Sequence, residues 1–514
     1  MNFEIIFVLI CMVGMLTALI MDIMRPGLIL LCIVILFLCA GILTPKEMLL
    51  GFSNKGMITV GLLFLVSEGV RQSGALNSII HKLLPQKNAS LAKAQLRMLP
   101  SISFISAFLN NTPVVVIFAP IIKRWAEKMK IPATKLLIPL SYATILGGIC
   151  TLIGTSTNLV VHGMILESGH KGFTMFELGK VGIFITIAGL IYIIAFSKKL
   201  LPDAGKTDSN EQNPTDNLHR VEVIIGARFP GIKKTYGEFN FTRHYGAYIK
   251  EVRRKGQPIE DDYSKEIIME GDTLILWADD TFVPTWGDSR VFLMVSNGKE
   301  AQPKASKAKR LTALALIIFM ITGATIGELP AFENIIPGID LDMFFFVCIT
   351  TLIMACTKMF PPKKYTKYIS WDILITIACA FAISQAMINS GFANVVAASV
   401  IDMTDSLGPH GILAMLFIVT NLTTELITNN AAAALSFPIA LAVAQQLHVD
   451  PMPFFVVICI AASMSFCTPI GYQTNLIVQG IGGYKFTDFL KFGLPLNVIS
   501  FIISVFTIPL FWEF

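Results

Sequence analysis

The sequence carries little charge for its length. Only 15% of its 514 residues are Asp, Glu, Lys or Arg, whereas 54% are hydrophobic. Soluble domains carry about 25% charged residues, so this composition indicates an all-α polytopic membrane protein. The net charge of +5 is modest and the basic residues cluster in loops, which argues against a nucleic-acid-binding protein.

Signatures of enzymes and metal proteins are missing as well. The nine cysteines lie in apolar stretches without metal-ligand spacing, and we interpret them as small apolar fillers. There is no phosphate-binding loop, no zinc motif and no nucleophile–base pattern, so we predict that the chain is not an enzyme. The first residues lack the basic region of a signal peptide, and we expect them to begin a membrane span.

What the sequence does contain is a series of long apolar segments. We predict five crossings per half: 4–21, 26–43, 56–74, 137–165 and 176–196, then 311–328, 341–360, 372–391, 452–480 and 491–512. Each half also has an apolar excursion broken by a polar stretch, at 97–121 and at 411–445. Broken backbone at membrane depth is tolerated only inside protein or beside a cavity, so we predict two re-entrant hairpins.

The two halves form a sequence repeat with a nearly constant offset. Residues that recur 317 or 318 positions later include the pairs Thr59 and Thr376, Ser73 and Ser390, Asn77 and Asn394, Asn111 and Asn429, and Asn158 and Asn475. An offset held over a hundred residues is not expected from composition alone. Because five crossings per half is an odd number, the second half must start on the opposite side, and we predict an inverted repeat.

The basic residues give the orientation. There are ten Lys or Arg between residues 71 and 135 and none between 368 and 484. By the positive-inside rule, the first hairpin opens to the cytoplasm and the second to the outside of the inner (plasma) membrane. Both termini are then predicted to lie outside.

A polar segment separates the repeats. We predict a first transmembrane repeat at 1–197, a cytoplasmic insert at 198–310 and a second repeat at 311–514. Alternating runs at 221–225, 248–252 and 273–277 predict strands of a small α+β domain spanning 218–296, between polar linkers at 202–216 and 297–310. The folded part has 11 basic and 12 acidic residues. This balance favours a regulatory or dimer-stabilising module outside the translocation path.

Four polar knots interrupt the apolar segments at matching places in the two halves. The knots are Asn110-Asn111-Thr112, Gly154-Thr155-Ser156-Thr157-Asn158, Thr428-Asn429-Asn430 and Thr468-Pro469-Ile470-Gly471-Tyr472-Gln473-Thr474-Asn475. Broken helices expose N–H groups and positive dipole ends, which suit an anion, while freed carbonyls and amide oxygens suit Na⁺. For one knot, a kinked and packed helix is an equal alternative, but matched broken helices indicate a transporter site.

We therefore predict two overlapping sets of site residues. The substrate-binding candidates are Asn110, Asn111, Thr112, Thr157, Asn158, Thr428, Asn429, Asn430, Thr474 and Asn475. The Na⁺ candidates are Asn111, Gly154, Thr155, Asn158, Glu425, Asn429, Thr468 and Gly471. Glu425 is an intramembrane acid that either shapes a Na⁺ site or packs the hairpin. Because no knot contains Lys or Arg, co-bound cations would balance the charge of an anion, which favours symport over exchange.

These residues resemble the divalent anion/sodium symporters of the ion transporter superfamily. The central asparagine of that family's Ser-Asn-Thr hairpin signature is present as Asn111 and Asn429, although the flanking residues differ. The forms Leu-Asn-Asn-Thr-Pro-Val-Val, Gly-Thr-Ser-Thr-Asn-Leu-Val-Val and Gly-Tyr-Gln-Thr-Asn-Leu are similar to the sulfate-transporter branch. That branch typically carries domains of the potassium-conductance-regulator C-terminal type, and 218–296 is similar to one copy.

The resemblance implies Na⁺-coupled import of a small divalent anion, sulfate before others, by an elevator-type motion in a homodimer. Na⁺ would be the coupling ion, and the insert could take a small regulatory ligand. The alternatives are a Na⁺-coupled C4-dicarboxylate symporter and a regulated ion channel. A channel is disfavoured by the lack of a repeated filter stretch such as Thr-Val-Gly-Tyr-Gly, and a non-transporting sensor would need a larger output domain.

The inverted repeat predicts labelling from opposite faces. Single cysteines placed in 82–93 should react with an impermeant thiol reagent from the cytoplasmic side, and cysteines in 396–406 from the outside, because the basic residues flank only the first hairpin. Labelling of both segments from one face would rule out the inversion. The measurement is reagent accessibility in intact cells against inverted vesicles.

Overall fold

The protein is described by a computed structural model covering residues 3–21, 23–85, 90–203, 219–254, 257–259, 262–279, 282–286, 289, 291–296, 306–329, 340–404 and 408–514. The helices of the first half are α1 (Phe3–Ile20), α2 (Pro26–Cys39), α3 (Pro45–Leu50), α4 (Lys55–Ser73), α5 (Ala75–Leu83), α6 (Leu91–Ser106), α7 (Asn111–Lys128), α8 (Thr134–Gly148), α9 (Ser156–Glu167) and α10 (Gly179–Leu200). The elements of the insert are β1 (His219–Ile225), α11 (Tyr236–Phe239), α12 (Phe241–Tyr245), β2 (Tyr248–Arg254), β3 (Gln257–Pro258), β4 (Thr273–Ala278), α13 (Phe282–Trp286) and β5 (Phe292–Ser296). The helices of the second half are α14 (Lys307–Gly327), α15 (Met343–Cys356), α16 (Trp371–Asn389), α17 (Phe392–Thr404), α18 (Gly408–Leu426), α19 (Asn429–Leu447), α20 (Met452–Ser463), α21 (Gln473–Gly482) and α22 (Phe486–Phe511).

The chain is a multi-pass membrane protein. Among the described residues, seven helices are long and apolar enough to cross a membrane, or eight if the bent pair α17–α18 counts as one span. Each predicted crossing coincides with a helix or with a broken helix pair, although α2, α15 and α20 are shorter than a full span. The sequence analysis missed α5 and α17. Residues 396–404 of the segment 396–406, chosen above for cysteine labelling, therefore lie in helix α17.

All four polar knots fall at helix breaks. The hairpin tips are the short gaps between α6 and α7 and between α18 and α19. The two broken crossings are α8 with α9, separated by 149–155, and α20 with α21, separated by 464–472. At every break the second helix begins inside the knot, because Asn, Thr and Ser favour helix starts over helix interiors.

The repeat is also visible in how the third crossing of each half ends. Gly74 and Gly391 follow α4 and α16 with φ of 68° and 75°, a left-handed conformation that favours glycine. The serine before each glycine accepts a hydrogen bond from the N–H two residues on, at 3.2 Å from Ser73 Oγ and 3.3 Å from Ser390 Oγ. The same residues thus turn the chain in the same way 317 positions apart.

The membrane helices pack into two groups. In the first group, α2 packs on α16 and α4 packs on α15. In the second group, α8 is contacted by α6, α7 and α10, and α20 is contacted by α18 and α19. The groups meet where α4 contacts α9 and where α16 contacts α19. The broken helices and both hairpins belong to the second group, so the knots lie in one body.

The insert is a five-stranded sheet with strand order β3-β2-β4-β1-β5, and every described pairing is antiparallel. The three predicted strand segments are strands. On one face lies an aromatic core that includes Phe229, Phe239 and Tyr245. A buried Asp272 accepts bonds from Arg254 and Tyr236. Burial beside this carboxylate raises the pKa of Tyr236, and the hydrogen bond to Asp272 raises the pKa of Arg254.

The predicted edges of the insert need correction. Helix α10 continues to Leu200 and α14 begins at Lys307, so residues 198–200 and 307–310, which we assigned to the insert, are helical. Ser306 caps the start of α14. Lys198 and Lys199 lie in the last turn of α10, where the helix dipole favours positive charge. Residues 204–216 and 297–305 of the predicted linkers 202–216 and 297–310 lie outside the described residues.

The insert contacts the membrane helices directly. Thr273 Oγ1 donates to the Gly480 carbonyl of α21 at 3.2 Å, and the ammonium of Lys123 in the second half of α7 lies 3.0 Å from Glu222 of β1. A Cβ on Gly480 would approach Ile224 Cδ1 to 3.0 Å, so glycine permits this close packing. The insert therefore touches two of the helices that begin at the knots.

The crossing of α6 and α8 predicts a stability effect. A Cβ on Gly147 would lie 2.0 Å from the Ser103 carbonyl oxygen, so Gly147→Ala must push these helices apart. We expect a loss of about 1–3 kcal/mol of stability, measured by thermal unfolding in detergent. The matched control is Gly14→Ala, because nothing lies within 4 Å of its Cβ position. Equal unfolding temperatures for the two variants would contradict the packing described here.

Candidate functional site

The knots meet in crossed pairs, the tip of each hairpin against the broken helix of the other half. Thr112 Oγ1 of the first tip donates to Gln473 Oε1 at 3.4 Å. The corresponding contact joins Ser156 Oγ to Asn430 Oδ1 of the second tip at 3.2 Å. Thr157 Oγ1 also donates to Asn430 Oδ1, at 3.2 Å. The site is thus built from both halves of the chain.

Tyr472 joins the two pairs. Its Oη accepts a hydrogen bond from Asn111 Nδ2 at 2.5 Å and lies 3.2 Å from Thr155 Oγ1. Thr155 and Tyr472 are equivalent in the repeat and are the residues immediately before α9 and α21. A continuous set of hydrogen bonds therefore links the starts of α7, α9, α19 and α21.

Four helix N-termini converge at this point, and most of them lack a cap. Asn110 Oδ1 accepts from Thr112 N at 3.4 Å at the start of α7. Within the described structure, the residues before α9, α19 and α21 make no side-chain cap. Their first N–H groups and the positive ends of their dipoles are thus available to an anion.

The side chains of Asn158 and Asn475 bind backbone carbonyls at the two broken crossings. The amide of Asn158 donates to the carbonyls of Gly148 and Thr151 at 3.3 and 2.9 Å, and Asn475 donates to the equivalent carbonyls of Ser465 and Thr468 at 2.8 and 3.1 Å. Both side chains are fully buried. Their N–H groups therefore satisfy carbonyls freed by the breaks, and are not free to bind an anion.

The amide oxygens of these two residues differ. Asn475 Oδ1 accepts from Ser141 Oγ at 2.7 Å, and the same hydroxyl lies 2.8 Å from Thr474 Oγ1. Asn158 Oδ1 is buried and has no hydrogen-bond partner in the described part of the chain. An unpartnered buried oxygen suits a cation, since leaving it unsatisfied costs free energy.

The hairpin asparagines are oriented by hydroxyls five residues earlier. Ser106 Oγ donates to Asn111 Oδ1 at 2.6 Å, and Thr424 Oγ1 donates to Asn429 Oδ1 at 2.8 Å. Gly148 permits this arrangement, since a Cβ there would lie 2.8 Å from Asn111 Oδ1. With its oxygen fixed in this way, Asn111 directs its amide N–H groups toward Tyr472.

Glu425 is the one acid at the knots, and five donors surround its carboxylate. They are the N–H groups of Phe466, Cys467 and Thr468 at 2.8 to 2.9 Å, Asn497 Nδ2 at 2.9 Å and Ser465 Oγ at 3.3 Å. The carboxylate thus satisfies the backbone between α20 and α21. The equivalent residue in the first half is Ala107, so this feature belongs to one half only.

The remaining predicted site residues differ in how exposed they are. Thr157 and Thr474 are buried, whereas Asn110 and Thr112 are partly exposed and Thr428 is exposed. Thr468 Oγ1 bonds to the Glu425 carbonyl and the Gly471 N–H. Gly154 and Gly471 lie where a Cβ would be 2.5 Å from the Gly148 carbonyl and 2.0 Å from Ser465 Oγ, so both serve close packing.

The sequence analysis left several residues of the arrangement out of its candidate sets. These are Ser106, Ser141, Ser156, Thr424, Tyr472 and Gln473. The repeat offset was the available signal for five of them, because Tyr472 aligns with Thr155, Gln473 with Ser156 and Thr424 with Ser106. Nothing in the sequence marks Ser141, whose repeat equivalent is Ile458.

Comparison with known proteins settles the family. The citrate transporter family (CitMHS) matches residues 16–458 and 339–514. The chain belongs to the citrate transporter family. It is also similar to an uncharacterised transporter of Synechocystis, 29% identical over 91% of this chain and 90% of that one. Sodium/sulfate cotransporter 1 of Chlamydomonas reinhardtii is 30% identical over 50% of this chain and 29% of its own length.

The fold has a counterpart among solved structures. The crystal structure of the YdaH transporter of Alcanivorax borkumensis superposes with a TM-score of 0.51 over 90% of this chain and 86% of that one, at 10% identity. The shared architecture is that of a membrane transporter. The family and these relatives are transporters, so the chain is a transporter and not an enzyme.

The surroundings of Glu425 predict a structural effect that does not depend on Na⁺. Glu425→Gln would turn an amide N–H₂ toward backbone N–H donors, which we expect to cost about 2–4 kcal/mol of stability. The loss should be equal in Na⁺ and in choline buffers, as measured by thermal unfolding. The matched control is Asp340→Asn, because Asp340 is exposed and pairs at 3.1 Å with the half-exposed Lys55, so its loss should cost less than about 1 kcal/mol. A variant that is stable in choline but no longer stabilised by Na⁺ would instead make Glu425 a Na⁺ ligand.

Proposed function

We propose that the protein is a secondary active transporter that imports a small divalent anion, sulfate before others, together with Na⁺. The observation that carries the proposal is the convergence of four helix N-termini, three without a side-chain cap in the described structure. Oriented N–H groups and dipole ends bind an anion without a basic residue, and no knot contains Lys or Arg.

The neutral character of the site supports coupling to a cation. A divalent anion held only by neutral donors leaves two negative charges in a low-dielectric interior, and a co-bound Na⁺ offsets them. Asn158 Oδ1 is the oxygen best placed for this role, because it is buried and has no partner among the described residues. Three of the other Na⁺ candidates, Asn111, Thr155 and Asn429, lie at the same junction of helix starts.

We propose an elevator-type mechanism on an inverted repeat within a homodimer. The two helix groups fit such a division, since hairpins and broken helices form one body and α2, α4, α15 and α16 the other. The insert, which we propose to be cytoplasmic and regulatory, touches both bodies. It contacts α7 and α21, and Lys233 Nζ donates to the Ile23 carbonyl before α2 at 3.1 Å.

A carboxylate substrate is the competing proposal, because the family is named for citrate. Sodium/sulfate cotransporters among the relatives favour the inorganic anion. The deciding measurement is uptake of labelled sulfate, succinate and citrate into proteoliposomes, with and without an inward Na⁺ gradient. Na⁺-driven uptake of succinate or citrate without sulfate uptake would replace sulfate with a carboxylate.

The site assignment predicts how two asparagines respond to a negative charge. Asn111→Asp and Asn429→Asp keep the side-chain size but place a carboxylate beside the anion, so sulfate binding should weaken more than Na⁺ binding. Simple removal of one hydrogen bond by Ala should weaken sulfate binding roughly 5- to 150-fold. Both constants are measured on purified protein by calorimetry.

The matched control is Asn394→Asp, since this residue also recurs in the repeat but is exposed on α17. It should bind both ions as the parent does. Unchanged sulfate binding in the Asn111 and Asn429 variants would make the knots packing kinks and remove the site.

A further inference from the structure

Tyr472 stands where the other half of the repeat has a much smaller residue. The equivalent residue is Thr155, and both precede the second arm of a broken crossing. We infer that Tyr472 limits the size of the anion that the site accepts and donates a hydrogen bond to it. This inference rests on the proposed function and concerns the same site.

The contacts place the phenol between the two halves. Its backbone belongs to the start of α21, while its Oη reaches Asn111 of α7 at 2.5 Å and Thr155 before α9 at 3.2 Å. The ring therefore spans the space between three of the four helix starts. Only 9% of the residue is exposed, so the ring fills the interior of the junction and does not merely cover its surface.

The Tyr472 hydroxyl can donate a hydrogen bond. Because Oη accepts from Asn111 Nδ2, its own hydrogen points either to Thr155 Oγ1 or to a bound anion. Phenols are good donors to oxyanions, and a hydrogen bond to a charged acceptor is stronger than one between neutral groups. An arriving anion can thus accept a hydrogen bond from Oη while Asn111 keeps the ring in place.

The volume of the Tyr472 ring selects between compact and extended anions. A tetrahedral oxyanion carries its charge on oxygens around one atom, whereas a C4-dicarboxylate must fit two carboxylates separated by a carbon chain. With threonine at both equivalent positions, the junction would be wider by the volume of a phenol ring. Tyr472 thus fits the junction to a compact anion and excludes an extended one.

The test is a pair of substitutions that separate volume from hydroxyl. Tyr472→Thr copies Thr155 and should shift the ratio of kcat/KM for sulfate to that for succinate at least 10-fold toward succinate. Tyr472→Phe keeps the ring, so it should gain no succinate uptake while its KM for sulfate rises about 5- to 20-fold. The readout is uptake of labelled sulfate and succinate into proteoliposomes of size-exclusion-purified protein.

Tyr192→Phe is the matched control, because this buried phenol donates to the Phe492 carbonyl at 3.0 Å, away from the knots. It should keep the parent's ratio. A Tyr472→Thr protein that keeps the parent's ratio overturns the size role while sulfate transport by the parent still stands. If that variant does not fold, a Tyr472→Phe protein with the parent's KM for sulfate overturns the inference. A parent that takes up no sulfate overturns the proposed function and this inference together.

Discussion

The structure depends on one constraint: each polar backbone group freed by a helix break inside the membrane must find a partner. Water cannot supply one in the hydrocarbon region, and an unsatisfied group there costs several kcal/mol. Asn158 and Asn475 meet the demand by bridging carbonyls seven and ten residues earlier. Thr151 and Thr468 add matching bonds to the carbonyls of Ala107 and Glu425. Breaks supported in this way can stay open as binding surfaces.

The two halves share these hydrogen bonds at the helix breaks but differ in the residues around them. Glu425 stabilises the break of the second half, where the first half has Ala107. The Ser141 hydroxyl donates a hydrogen bond to the side-chain oxygen of Asn475, whereas the side-chain oxygen of Asn158 has no partner in the described structure. Tyr472 replaces Thr155 and reaches across to the first half. A repeat supplies the geometry of the site, and its asymmetric residues supply the chemical differences.

The insert is connected to this arrangement by short contacts. Ile224 and Met294 of its sheet pack with the membrane core, separately from the aromatic core of the insert. Thr273 bonds to Gly480 of α21, five residues beyond Asn475, and Lys123 in the second half of α7 pairs with Glu222. Both helices begin at the candidate site, so the sheet contacts two of the four helices that start there. This contact surface supports the proposed regulatory role of the insert.

The sequence by itself determined the broad organisation. Low charge and long apolar runs predicted a multi-pass membrane protein, and the constant offset placed all four breaks within a few residues, because helix breakers and apolar length act locally. It also predicted three of the five strands of the insert from alternation, β1, β2 and β4. It missed α5 and α17, which are too short to register as membrane spans.

Only the tertiary structure decided which polar groups meet. The partners of Asn111 and Asn430 lie 361 and 274 residues away in the chain, and no local pattern encodes such pairs. Glu425 and Asn158 were both predicted as ligands from residue type. Backbone N–H groups engage the Glu425 carboxylate, whereas backbone carbonyls engage only the amide nitrogen of Asn158 and leave its oxygen without a partner among the described residues. Residue type names what a side chain can bind, but the packing of four broken helices determines which of its atoms remain free.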